Sequence, residues 1–207
     1  MTETATAPCK RVESVATSRV LDIGCGKRKE VGAIGMDVRA LPGVDVVHDL
    51  TRFPYPFTPN RFSAIHANHV LEHVQDVMAV MAELWRICEP GALVHIRVPH
   101  CTGSLAWRDP THVRSFTSQS FHYFGQNEFS FYSDTRFQVV TTRLIYRADQ
   151  MRRKWPTRLM RRLVQHFIDL HPTFGERQLA YLVGGIDEIR FTLKACKDVP
   201  QYANPLV

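Results

Sequence analysis

Five short apolar runs, four of them carrying an acid or an amide at the end or one residue before it, set the pattern of the first half of the chain. They are Val20-Leu21-Asp22-Ile23, Ala33-Ile34-Gly35-Met36-Asp37, Val44-Asp45-Val46-Val47-His48-Asp49-Leu50, Phe62-Ser63-Ala64-Ile65-His66-Ala67-Asn68 and Ala92-Leu93-Val94-His95-Ile96-Arg97-Val98. Runs of this length, rich in β-branched residues, predict buried strands. The first breaks into Gly24-Cys25-Gly26, a tight turn whose glycines let backbone N–H groups approach a ligand closely. After the fourth run, Val77, Val80, Met81, Leu84 and Ile87 recur at helical spacing, with Asp76 to cap the helix and Pro90-Gly91 to stop it. Strands separated by helical patterns predict parallel pairing in a doubly wound α/β sheet. The first two crossovers are short, spanning only residues 27–32 and 38–43. A full crossover helix needs about a dozen residues, so both are expected to shrink to a turn.

The second half is patterned differently. Residues 102–116 read as loop, holding Trp107-Arg108-Asp109-Pro110-Thr111-His112, and Thr117 is placed to cap a short helix through Phe124. Phe137 to Tyr146 reads as a long strand. Leu159, Leu163, Phe167 and Leu170 form an apolar helical stripe with Arg158, Arg161, Arg162 and Gln165 off it; such a stripe is expected to pack on the body of the domain. Ile189, Phe191 and Leu193 alternate with Arg190, Thr192 and Lys194, a half-buried final strand. The expected organisation is a tail over 1–17 and one domain over 18–200, with a lid insertion at 102–136 and a helical segment at 151–183.

A chain of 207 residues supports one such domain with a real core. No apolar run is long enough to span a bilayer, and the Thr/Ala-rich start lacks the pattern of a signal peptide. Five scattered cysteines, Cys9, Cys25, Cys88, Cys101 and Cys196, show no CxxC spacing. They argue against a disulfide framework and fit a reducing, cytoplasmic setting. The net charge of +6 is concentrated at Arg152-Arg153-Lys154, Arg158, Arg161 and Arg162. That patch lacks the interleaved aromatics of a single-strand reader, so nucleic acid is not the expected partner. Peripheral contact with an anionic membrane through this basic helix stays open, as does a homodimer.

The ordered series of strand ends resembles the class I S-adenosyl-L-methionine-dependent methyltransferases over roughly Arg19 to His100. The resemblance implies a Rossmann-like, mostly parallel sheet closed by an antiparallel C-terminal strand, with S-adenosylmethionine as cofactor. It implies that the backbone around Gly24, Cys25 and Gly26, with Asp22, receives the methionine part. Asp37 would take the ribose hydroxyls, Asp49 and the Leu50 backbone the adenine, and Asn68 would border the sulfonium. The alternative is that these acids merely cap turns. Two departures from the family are the lost crossover helices and Arg28, which stands where a third glycine often lies.

His69-Val70-Leu71-Glu72-His73 also matches the H-x-x-E-H pattern of some zinc peptidases. The family often shows Leu-Glu-His at this point, so no metal is expected. Beyond the fifth run, His100, Asp109 and His112 are the catalytic candidates, with His122 behind them. Asp109-Pro110-Thr111-His112 with Arg114-Ser115-Phe116 is similar to a subset of small bacterial methyltransferases that accompany polysaccharide biosynthesis. The reading is therefore O-methylation of a saccharide hydroxyl. A sugar hydroxyl is a weak acid and needs a base, and an imidazole with a reference pKa of about 6.5 suits that role. A divalent ion could replace or assist that base, though no magnesium-type carboxylate cluster is evident. Quinones and carboxylates are the alternative acceptors, since they need little or no base. Trp107, Phe116, Phe121, Tyr123 and Phe124 read either as lid core or as a stacking surface for the acceptor, and Cys101 as structural.

Overall fold

The computed structural model describes residues 17–125, 134–146 and 155–197. Residues 1–16 of the expected tail, with Cys9, and the basic residues Arg152, Arg153 and Lys154 lie outside them. One seven-stranded sheet runs in the order β3-β2-β1-β4-β5-β7-β6. Its strands are β1 (Val20–Ile23), β2 (Ile34–Asp37), β3 (Val46–Val47), β4 (Phe62–Asn68), β5 (Cys88–Pro99), β6 (Phe137–Ile145) and β7 (Glu188–Ala195). β1 to β5 pair in parallel, and β7 runs antiparallel to both β5 and β6. The chain is thus an α/β Rossmann-like fold with its antiparallel strand next to the edge.

Strand order reverses between the neighbours β1 and β4, and this opens a crevice at the carboxyl ends of the parallel strands. The first two crossovers contain turns and no helix. The third is the helix α1 (Val77–Ile87), which buries Val77, Val80, Met81, Leu84 and Ile87; Asp76 caps it by accepting from the Ala79 N–H at 2.9 Å. It ends before Pro90-Gly91. Cys88 is already extended, and Glu89-Pro90-Gly91 lies inside β5, where the β4–β5 register shifts between Phe62 and Ala64. Proline tolerates such an irregularity because the ladder is broken there.

The central strands β4 and β5 alternate: Ile65, Ala67, Val94 and Ile96 join Leu21 and Ile23 in one core, whereas His66, Leu93, His95 and Arg97 on the other face are half-buried or exposed. Phe116, Phe121 and Phe124 join that core, with Phe121 edge-on to Phe191 at 4.8 Å. Trp107 and Tyr123 are exposed.

The C-terminal helices correct the sequence expectation. α2 (Leu105–Arg108) is a single turn, followed by α3 (Trp155–Leu170), α4 (Pro172–Phe174), a π-helical turn (Gly175–Leu179) and α5 (Ala180–Val183). The apolar stripe of α3 does not pack on the domain: Leu159, Leu163, Phe167 and Leu170 are all exposed, Leu163 to 61%. The helix docks through the next face round. Ile168 is buried, and the Gln165 side chain accepts from the Tyr146 N–H and donates to the Leu144 carbonyl, each at 2.8 Å. Those two bonds satisfy backbone groups at the end of edge strand β6, which the stripe could not do.

Candidate functional site

The crevice is an open cleft of about 1220 Å³. One wall is the glycine turn after β1, with Asp22, Gly24, Cys25, Gly26, Lys27, Arg28 and Glu30. The other is built from Asn68 at the end of β4, the short 3₁₀ turn Leu71–His73, Arg97 and Pro99 of β5, Glu188 of β7, and the segment from Leu105 to His112.

The glycine turn is sterically fixed. Gly24 has φ +60°, and a Cβ there would lie 2.3 Å from Val70 Cγ2. Its N–H and that of Cys25 donate to the Met36 carbonyl, and the Gly26 N–H donates to Asp37 at 2.9 Å. These amides therefore bind β2 and orient Asp37, which also accepts from the Arg39 N–H. Each Asp37 oxygen keeps a further lone pair for a hydroxyl. Asp22 is almost wholly buried; its Oδ2 accepts from the Glu30 N–H while Oδ1 has no partner. Burial pushes its carboxyl up to about 6, because the charged form loses its water. Across the cleft the Asn68 amide donates to Glu30 at 3.3 Å.

Asp49, Leu50 and Asp37 lie outside the cleft lining, on the β2–β3 side. Asp49 accepts from the backbone and hydroxyl of Thr51, and those bonds pull its carboxyl below the ordinary range. The Leu50 carbonyl accepts from the Tyr55 hydroxyl at 3.0 Å. Glu83 holds this loop by accepting from the Tyr55 N–H, and Arg86 donates to the Tyr55 and Phe57 carbonyls.

On the opposite wall the histidine candidates separate. His112 lines the cleft; its Nδ1 bonds the Ala106 carbonyl at 3.0 Å, and its Nε2 lies 3.9 Å from Glu72 Oε1. A carbonyl can only accept, so Nδ1 carries the proton and Nε2 the lone pair. Asp109 accepts from the Thr111 N–H and hydroxyl, and the Thr111 oxygen is 2.9 Å from His73 Nδ1. The loop reaches the 3₁₀ turn because the Val113 N–H bonds the Glu72 carbonyl and Arg114 binds the Val74 and Gln75 carbonyls. His100 is fully buried and outside the cleft lining. Its Nδ1 accepts from the Thr102 N–H at 3.1 Å and its Nε2 meets Glu176 at 2.9 Å. Burial pushes Glu176 up, but hydrogen bonds from His100 and Ser118 outweigh it and hold the carboxyl at about 2.

Sequence reading missed Glu72, His73 and Glu188 as cleft residues. His69, a non-glycine residue at φ +52°, spans the two acids with Nε2 2.9 Å from Glu188 and Nδ1 3.4 Å from Glu72. The bond to Glu188, helped by Glu72, lifts its pKa to about 9. The H-x-x-E-H match was the available signal, but its pairing in space differs: His112 joins Glu72 and His73, whereas His69 faces Glu188.

A family model described as a methyltransferase domain matches residues 4–170. Among solved structures, an S-adenosylmethionine-dependent methyltransferase from Archaeoglobus fulgidus is 18% identical, with 87% of each chain covered and a TM-score of 0.55. The YcgJ protein from Bacillus subtilis is 16% identical over 91% of this chain and 96% of that one, with a TM-score of 0.54. An S-adenosylmethionine-dependent methyltransferase from Mesorhizobium loti is 13% identical over 88% and 93%, with a TM-score of 0.52. At these identities the likeness is one of fold. Among curated proteins, none matches the sequence.

Proposed function

The chain belongs to the methyltransferase-domain family and is an S-adenosylmethionine-dependent enzyme, and on that premise we propose that it methylates a hydroxyl oxygen of a saccharide or sugar-bearing acceptor. The carrying observation is His112, a cleft imidazole whose tautomer leaves Nε2 free. The cleft exceeds the roughly 300–1,000 Å³ of a typical single-ligand site, which supports a cofactor and an acceptor side by side.

The residues suit the cofactor. The orphaned Asp22 Oδ1 is an acceptor for the methionine ammonium, Asp37 for the ribose hydroxyls, and Asp49 with the Leu50 backbone for the adenine. Asn68 borders the reacting centre. When bound, S-adenosylmethionine supplies an electrophilic methyl group. The protein's own part is alignment and proton removal: the acceptor O–H gives its proton to His112 Nε2, and the Glu72 carboxylate 3.9 Å away stabilises the imidazolium. Arg97, Arg108, Asp109, His73 and Glu188 make the acceptor side mostly polar, which favours a polyhydroxylated molecule over a quinone ring.

Calorimetry with S-adenosylhomocysteine tests the cofactor half. Asp37→Ala should weaken binding by about 2–3 kcal/mol, the scale for hydrogen bonds to a charged group. An unchanged affinity in a folded variant removes Asp37 from the site. Sugar-nucleotide and glycan libraries, run beside quinones and carboxylic acids, then test the acceptor class.

The exposed stripe of α3 favours a second feature, peripheral contact with an anionic membrane. Leu159, Leu163, Phe167 and Leu170 lie beside the exposed Arg158 and Arg162, the arrangement of an interfacial helix. Near an anionic surface each basic residue contributes about 1 kcal/mol. Co-sedimentation with anionic vesicles should be salt-sensitive and fall in Leu163→Glu. Equal, negligible pelleting with neutral and anionic vesicles would leave the acceptor a soluble molecule and the face to another copy of the chain.

A further inference from the structure

Glu72, His73 and His112 each bring one ligand atom into the cleft, and these atoms all lie within 4.8 Å of one another. Glu72 is wholly buried, and neither of its carboxylate oxygens has a hydrogen-bond partner. A carboxylate held that way costs several kcal/mol unless a cation offsets it. His69 ties its Nε2 to Glu188 at 2.9 Å and turns its Nδ1 toward Glu72 at 3.4 Å, an ion-pair contact that still leaves both Glu72 oxygens without a hydrogen bond.

Both histidines are pre-set as ligands. His112 Nδ1–H is tied to the Ala106 carbonyl, leaving the Nε2 lone pair near Glu72. The Thr111 hydroxyl has one proton and donates it to Asp109 at 2.7 Å. Its oxygen therefore accepts from His73 Nδ1–H, and the other nitrogen of His73 carries the lone pair. A ring N–H bound to a carbonyl, or to a carboxylate-backed hydroxyl, is the outer support that fixes metal-binding imidazoles.

We infer that Glu72, His73 and His112 form a site for a first-row divalent cation of the zinc type. Two imidazoles and one carboxylate suit zinc and its neighbours, whereas magnesium prefers oxygen ligands throughout. Three protein ligands leave an open position for an acceptor oxygen. The inference rests on the proposed acceptor hydroxyl lying at this wall, and it changes only the group that withdraws the proton. An O–H coordinated there ionises near neutral pH: the O–H bond breaks, its electron pair stays on oxygen, and the proton passes to solvent. His112 then acts as a ligand and not as the base.

Cobalt(II) is the probe, titrated into the metal-stripped full chain with S-adenosylhomocysteine present. Visible absorption bands should saturate at one equivalent and be displaced by zinc. Glu72→Gln, His73→Gln and His112→Gln should each weaken cobalt binding by about tenfold or more, while calorimetric S-adenosylhomocysteine affinity in the two histidine variants reports an intact cleft. Failure of the wild-type chain to bind S-adenosylhomocysteine would sink the methyltransferase site itself. Normal S-adenosylhomocysteine binding without stoichiometric cobalt, or with cobalt bound equally by all variants, overturns only the metal site and returns His112 to the role of base.

Discussion

His112→Gln should lower turnover by about 10²–10⁴-fold while S-adenosylhomocysteine affinity stays at the wild-type value. The range is that of a positioned acid–base group, and it corresponds to about 3–5 kcal/mol of barrier. The same loss follows if the imidazole is a ligand of an activating cation, so the pH profile and a chelator separate the two: a base gives a rate that rises as the imidazole deprotonates, a cation a rate abolished by chelation. Asp109→Asn should cost less. Asp109 lines the cleft, but its Oδ1 is taken by Thr111, which in turn holds His73, and it acts as a positioning residue. A near-normal rate in His112→Gln would remove proton withdrawal from the mechanism and move an intrinsically acidic acceptor, such as a carboxylate, ahead of a sugar hydroxyl.

His100→Ala should cost about 2–4 kcal/mol of stability, since a wholly buried ring is lost together with the hydrogen bond it donates to the Glu176 carboxylate. The ring has no exposed surface, and its loss leaves Glu176, which arrives from the π-helical turn, to its hydrogen bonds from Ser118. The pair carries a pH signature. Glu176 titrates at about 2 in the folded chain against a reference of 4.5. Its folded value is depressed, so its contribution is present above about pH 4.5 and lost as the pH falls toward 2. The shift corresponds to roughly 3 kcal/mol. Urea unfolding at pH 6 and pH 3 should show about 2 kcal/mol of this loss in the wild type, and a smaller loss in Glu176→Gln. A His100→Ala chain as stable as the wild type, yet without turnover, would make His100 the base after all.

The strand series, the glycine turn, the capped helix α1, the early crossovers without helices and the final strand β7 were all legible in the sequence. Each depends on local signals: run length, periodicity, a capping acid, too few residues for a helix; the antiparallel direction of β7 was implied only by the family resemblance. So was the cluster Asp22, Gly24, Gly26 and Asn68 at the strand ends, because a parallel sheet sends successive carboxyl ends to one edge. Histidine roles were not legible. His100 and His112 read alike in the chain, and only the fold hands one a buried partner from Glu176 while turning the other into the cleft beside Glu72. The stripe of α3 failed for a related reason. Periodicity tells which face of a helix is apolar, but not which face is covered. In this fold the covered face is the one that sets Ile168 into the core and Gln165 against the Tyr146 N–H and the Leu144 carbonyl, buried backbone groups that need a partner.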